Sequence, residues 1–107
     1  MSYILTGFEG KVAVVTGAGR MRSIGRPIAL ALARAGCDVV LTGTGRPAEQ
    51  YPDDEREVNW RDIESVADEI RQLGRRALPV VSDVSNPQAV DALLERVVGE
   101  FGRVDFL

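Results

Sequence analysis

A glycine-rich turn between a short apolar run and an amphipathic stretch is the part of this sequence with the clearest chemistry. The apolar residues Val12–Val15 lead into Gly17 and Gly19, and Ser23 precedes a helical pattern of apolar side chains. Gly17 suits a tight turn out of a strand, and Gly19 keeps the backbone bare where a ligand approaches closely. Ser23 is predicted to cap the helix and to leave the amides from Ile24 onward free for an anion. Since a helix N-terminus attracts negative charge, the arrangement predicts a phosphate site of the dinucleotide-binding type.

The end of the second predicted strand bears on which nucleotide is bound. Sites for an unphosphorylated ribose usually carry an acid there, which accepts hydrogen bonds from the ribose hydroxyls. The stretch Thr42–Gly45 contains no acid, so a 2′-phosphate is expected to meet no repulsion. Three arginines are candidates to bind it, each with a solvated surface arginine as the alternative: Arg20, Arg22 and Arg46. Gly43, Thr44 and Arg46 are therefore predicted cofactor contacts, and NADP(H) is predicted in preference to NAD(H).

A carboxylate follows the third predicted strand, in the stretch Val81-Ser82-Asp83-Val84. Parallel strands end at the same edge of a sheet, so Asp83 is expected near the glycine-rich turn. Its carboxylate can accept a hydrogen bond from an adenine amino group. The alternative is a turn residue that precedes the helix beginning at Asn86-Pro87.

Strands and helices alternate along the chain. The predicted elements are strands over Lys11–Gly17, Asp38–Thr42, Ala77–Val81 and Val104–Leu107, and helices over Ser23–Ala35, Trp60–Leu73 and from Pro87 to Gly102. The polar connection Gly43–Val58 is predicted to be a loop or a short extra turn. This order is typical of an α/β fold with a Rossmann-type, doubly wound parallel sheet, here part of one domain spanning 1–107. Pro79 cannot donate within a sheet, so the third strand is expected at an edge, as in strand order 3-2-1-4.

Composition excludes several kinds of site. The chain has 107 residues, no histidine, a single cysteine and a net charge of −3, so a histidine base, a thiolate metal site and an internal disulfide are excluded. The 12 arginines and one lysine are spread along the chain, which argues against nucleic acid or a membrane surface as partner. The N-terminus lacks the pattern of a signal peptide, and a cytoplasmic location is expected.

The ordered landmarks together resemble the N-terminal half of the short-chain dehydrogenase/reductase family. They are Thr16-Gly17 with Ile24-Gly25, then Asp83-Val84, then Gly102-Arg103-Val104-Asp105. The resemblance covers the chain from about Phe8 to Leu107. It implies that Gly17, Arg20, Ser23 and Ile24 hold the pyrophosphate and ribose, and that Asp83 and Val84 hold the adenine.

Two departures from the family pattern matter. Five residues separate Gly17 from Ser23, a spacing similar to the enoyl-acyl-carrier-protein reductases, whereas Thr-Gly-Ala-Gly-Arg resembles 3-oxoacyl-acyl-carrier-protein reductases, so the branch stays open. The family's Asn-Asn-Ala-Gly turn, its catalytic Ser and its Tyr-x-x-x-Lys are absent, since the only lysine is Lys11. No catalytic residue is therefore predicted in this chain, which resembles a truncated portion of an enzyme.

The expected function is the cofactor-binding half of an oxidoreductase that transfers hydride between NADP(H) and a small carbonyl or alcohol substrate. The full-length enzyme is expected to be a homo-oligomer. A stand-alone nucleotide-binding module without catalysis is the main alternative. A methyltransferase-like domain is less favoured, because such domains usually carry a ribose-binding acid after the second strand.

Overall fold

The structure, a computed structural model, describes residues 7–106. The N-terminal segment, over which no signal peptide is predicted, and Leu107 lie outside the described residues. The strands are β1 (Val12–Val15), β2 (Asp38–Gly43) and β3 (Ala77–Val81), and the helices are α1 (Gly25–Arg34), α2 (Asp53–Glu57), α3 (Ile63–Gln72) and α4 (Pro87–Phe101). A single 3-10 turn, Ala48–Gln50, lies between β2 and α2. Within the part described, no helix is long and apolar enough to cross a membrane.

The three strands form a parallel sheet in the order β1-β2-β3. Pro79 of β3 lies opposite Leu41 of β2, and among residues 7–106 β3 pairs with β2 alone, so the predicted edge position is confirmed. The predicted fourth strand is present as a single bridge between Phe106 and Ala13, with Val14 donating from its N–H to the Phe106 carbonyl at 2.9 Å. This contact lies on the side of β1 away from β2 and agrees with strand order 3-2-1-4. The last residue of that predicted strand falls outside the described residues.

Helices cover both faces of the sheet. Because side chains alternate along a strand, Val39 and Leu41 of β2 face α1 and α3, whereas Val40 faces α4. The α1–α3 side is lined by small residues such as Ala29 and Ala33, which let α1 lie close to the sheet. This two-sided burial holds the carboxyl ends of β1 and β2 in fixed positions beside the start of α1.

The connection between β2 and α3 departs from the sequence expectation. It contains the 3-10 turn and α2 rather than a plain loop, and α3 begins at Ile63 rather than at Trp60. Asn59 and Asp62 both have φ of 55°, a backbone conformation that residues other than glycine rarely adopt, and both precede the start of α3. Trp60 is thereby placed outside the helix, against the glycine-rich turn.

The start of α4 provides a first prediction. The Asn86 side chain accepts hydrogen bonds from the backbone N–H groups of Gln88 and Ala89, and Pro87 occupies the first helical position. Asn86→Ala is expected to lower the free energy of unfolding by about 1 kcal/mol, because those amides lose their acceptor. Urea denaturation measures this change, and Gln88→Ala, which leaves both amides bonded, should have a much smaller effect. An unchanged midpoint for Asn86→Ala would contradict the assigned cap.

Candidate functional site

A pocket of about 290 Å³ opens at the carboxyl ends of the three strands. Its wall contains six of the nine predicted contacts: Gly17, Arg20, Gly43, Thr44, Arg46 and Val84. Five further residues line it: Thr16, Gly19, Thr42, Asp62 and Ser82. The volume is at the lower limit of small-molecule sites, roughly 300 Å³, and suits one half of a dinucleotide.

Glycines give this pocket its shape. Gly17 has φ of 64°, which other residues rarely adopt, and a Cβ there would meet nothing within 4 Å. At Gly43 a Cβ would lie 3.0 Å from Ile63 Cγ2. At Gly19 it would lie 3.1 Å from Asp62 Cγ. Gly19 therefore has a second purpose beyond the one expected from sequence, because its missing side chain makes room for Asp62.

Arg46 lines the pocket but is held in buried ion pairs, and its predicted contact with a 2′-phosphate stays a prediction. Its Nη2 donates to Glu55 Oε1 at 2.7 Å and to Asp62 Oδ1 at 2.5 Å, and its side chain is 8% exposed. The guanidinium also stacks over the Tyr51 ring, 4.4 Å from the centroid. Hydrogen bonds from Arg46 to Asp62, and then to Glu55, raise the pKa of this arginine above its ordinary value. Asp62 also lines the pocket, so a carboxylate is present there although the stretch Thr42–Gly45 contains none.

Two hydrogen bonds join the β2–α3 connection to the glycine-rich turn. The Met21 N–H donates to Glu55 Oε2 at 2.8 Å, and Trp60 Nε1 donates to the Gly19 carbonyl at 2.7 Å. Glu55 is 2% exposed, so its carboxylate is shared between the turn and Arg46 in a nearly dry environment. These contacts hold the turn in one conformation, which lowers the conformational cost of binding a ligand there.

The remaining arginines of the turn lie outside this network of buried charges. Arg20 is exposed at the rim of the pocket. Arg22 pairs with Asp54 at 2.6 Å, with 81% of its side chain exposed. A surface pair of this kind contributes little to stability because water screens it.

Ser23 and Ile24 lie at the start of α1 rather than in the pocket. Ser23 Oγ accepts a hydrogen bond from the Arg26 N–H at 3.1 Å, the bond expected of a cap, although the regular helix begins at Gly25. Ile24 is 82% exposed and lines a second pocket, distinct from the first, together with Gly17 and Phe106. Neither position tests their predicted contact with pyrophosphate or ribose, which stays a prediction.

Asp83 and its neighbours occupy the loop after β3. Asp83 Oδ1 accepts from the Ser85 hydroxyl at 2.6 Å and from the Ser85 N–H at 2.9 Å. These bonds, the hydroxyl first, lower the pKa of the Asp83 carboxyl, so it is ionised at neutral pH. The turn reading of Asp83 is thus correct, and its predicted role in holding adenine stays a prediction. Val84 lines the pocket beside Ser82, whose hydroxyl is buried without a hydrogen-bond partner among the described residues.

A nucleotide fits this arrangement. The pocket combines a glycine-rich turn, the carboxyl ends of the parallel strands and a buried hydroxyl that lacks a partner within residues 7–106. A thiol nucleophile does not fit, since Cys37 is buried and desolvation raises the pKa of its thiol. Over the same range there is no group of three or more potential ligands that could hold a metal ion.

Comparison with known proteins gives consistent matches. The family model described as short chain dehydrogenase matches residues 11–107. Cyclohexanol dehydrogenase from a Rhodococcus species is 41% identical over 97 residues, which are 91% of this chain and 34% of that protein. The 2-dehydro-3-deoxy-D-gluconate 5-dehydrogenase of Escherichia coli is 38% identical over 106 residues, or 97% of this chain and 35% of that protein.

Solved structures agree with these matches. A short chain dehydrogenase from Mycobacterium thermoresistibile has a TM-score of 0.74 at 31% identity, covering 92% of this chain and 32% of its own. An NAD+-bound xylitol dehydrogenase has a TM-score of 0.73 at 35% identity, covering 94% of this chain and 33% of its own. The chain therefore spans about a third of the length of the relatives it matches.

Proposed function

Because this chain belongs to the short-chain dehydrogenase/reductase family, we propose that it is the cofactor-binding part of an oxidoreductase that transfers hydride between a nicotinamide dinucleotide and a small carbonyl or alcohol substrate. The observation that carries the proposal is the glycine-lined pocket at the carboxyl ends of parallel strands, beside the start of α1. Ligands of open α/β sheets bind at this position. Gly17 and Arg20 would face the phosphates, and Val84 with Asp83 would border the adenine.

The finer choice predicted from sequence is NADP(H) over NAD(H). Gly43 and the exposed Arg20 favour NADP(H), because neither repels a 2′-phosphate. The two carboxylates that hold Arg46 oppose it. One structural neighbour is NAD+-bound, so both cofactors are kept in the proposed activity.

Catalysis is proposed to depend on residues outside this chain. The only lysine is Lys11, and neither Tyr3 nor Tyr51 is followed by lysine four positions later. No side chain of the sequence therefore provides the tyrosine–lysine pair that the family resemblance implies. A cytoplasmic location and a homo-oligomeric full-length enzyme are further proposals from the sequence.

Calorimetric titration of the chain with NADH and NADPH tests the proposal. We expect at least one of them to bind, and we expect no oxidation of either when a carbonyl substrate is added. Absence of binding by both would contradict the proposed function. Turnover that disappears in a Gly17→Val variant would show that the chain is catalytically sufficient. Reading the coding sequence past Leu107 separates an enzyme, with Asn-Asn-Ala-Gly and Tyr-x-x-x-Lys, from a stand-alone nucleotide-binding module.

A further inference from the structure

We propose that Asp62 is the ribose-selecting residue of this site and that, together with Arg46 and Glu55, it favours NAD(H) over NADP(H). The proposal rests on the proposed function, since it requires a nicotinamide dinucleotide in the glycine-lined pocket. It replaces the preference for NADP(H) that the sequence alone predicts.

The position of Asp62 carries the first step. Its carboxylate lies against the glycine-rich turn, 3.1 Å from where a Cβ on Gly19 would be. It lines the pocket together with Gly43, at the end of β2. An acid that selects an unphosphorylated ribose usually comes from the end of the second strand itself. Here that position is glycine, and a carboxylate reaches the pocket from the start of α3 instead.

The second step concerns how much bonding capacity Asp62 keeps. Arg46 donates to it three times, from Nε to Oδ1 and to Oδ2, both at 3.2 Å, and from Nη2 to Oδ1 at 2.5 Å, which fixes the carboxylate in one orientation. A carboxylate offers about four acceptor directions, so these three bonds leave capacity on Oδ2 for one ribose hydroxyl. The Asp62 side chain is 12% exposed, and the pocket is the open space beside it.

Charge provides the third step. Glu55 and Asp62 carry two negative charges against the single positive charge of Arg46, so the cluster has a net charge of −1. A 2′-phosphate would add further negative charge beside it, and like charges brought together at an interface are costly. A ribose hydroxyl is neutral and can donate to Asp62. The cluster therefore discriminates between the two cofactors by repulsion as well as by attraction.

An independent observation indicates that a ligand binds in this pocket. Ser82 is 8% exposed, its hydroxyl has no hydrogen-bond partner in residues 7–106, and it lines the pocket that Asp62 lines. Buried hydroxyls in folded proteins nearly always have partners. A nucleotide bound in the pocket would provide that partner.

Titration of the whole chain with ADP-ribose and with 2′-phospho-ADP-ribose tests the proposal. These probes contain the part of the dinucleotide that the pocket fits, and they differ only in the phosphate that Asp62 is proposed to reject. We expect ADP-ribose to bind at least about tenfold more tightly. Equal or reversed affinities would overturn the role of Asp62 and leave the proposed function intact. Binding of neither probe would overturn both.

Three variants test whether Asp62 causes the preference for the unphosphorylated ribose. Asp62→Asn is expected to lower the preference for ADP-ribose over 2′-phospho-ADP-ribose by about fivefold or more, because it removes the charge and one acceptor. Asp62→Glu keeps the charge and should keep the preference. Asp68→Asn is the matched control, since Asp68 lies on α3, the helix that Asp62 precedes, and forms exposed ion pairs with Arg61 and Arg71. A ratio that survives Asp62→Asn in a variant with a normal thermal melt would overturn the proposal. If that variant does not fold, the ratio measured for the unmodified chain still decides it.

Discussion

Replacing Arg46 with methionine is expected to lower the free energy of unfolding by about 3–5 kcal/mol, more than any surface substitution in this chain. The reason is that Glu55 and Asp62 would remain buried without their shared counter-ion. Methionine retains much of the packing of the arginine side chain, so the loss would report on charge more than on volume. Urea denaturation at neutral pH measures the effect.

A control substitution at an exposed arginine makes this expectation specific. Arg22→Met removes an exposed ion pair with Asp54 and should leave the denaturation midpoint almost unchanged. An unchanged midpoint for Arg46→Met, or a loss of the same size in Arg22→Met, would contradict the stabilising role of the buried ion pairs.

The elements that the sequence predicted best are those whose signals are local. The bounds of β3 agree with the prediction at both ends, and α4 begins at Pro87 as expected because Asn86 caps it. Its end is marked by Gly102, which adopts φ of 78° and so terminates the helix. Such signals depend only on residues a few positions apart and can be read without knowing the fold.

The charge cluster of the pocket could not be predicted in the same way. Glu55 and Asp62 follow Arg46 by 9 and 16 positions. No helix or strand periodicity relates the three residues. Their meeting depends on the path of the connection before α3, where Asn59 and Asp62 have a positive φ although neither is glycine. Asp62 could have been suspected as a residue preceding an apolar helical pattern. Its position against Gly19 requires the folded connection.

This difference bears on the predicted preference for NADP(H), which stays a prediction. The absence of an acid after β2 is a correct observation about Thr42–Gly45. It does not bear on an acid from later in the chain, such as Asp62, which the β2–α3 connection places at the pocket. The structure thus changes the most direct argument for NADP(H), while the glycine-rich turn on which the dinucleotide prediction rests lies at the pocket as expected.

Gly17→Val is expected to weaken binding of either dinucleotide by at least about a hundredfold. Gly17 has φ of 64°, and the space around its missing side chain is open for 4 Å. A branched side chain would occupy the space through which the cofactor phosphates are proposed to pass, and it would also strain the backbone. Calorimetric titration with NADH and NADPH measures the loss.

The Gly74→Val variant separates the effect of backbone strain from the effect of filling the proposed phosphate space. Gly74 follows α3, has φ of 85° and likewise has nothing within 4 Å of a Cβ, but it does not line the pocket. The same backbone strain should therefore lower the stability of both variants by a similar amount, whereas only Gly17→Val should lose the dinucleotide. If Gly74→Val loses binding to the same extent, then general destabilisation explains the result. If Gly17→Val retains binding, the glycine-rich turn does not hold the cofactor phosphates, and the proposed function loses the contact that the sequence predicted first.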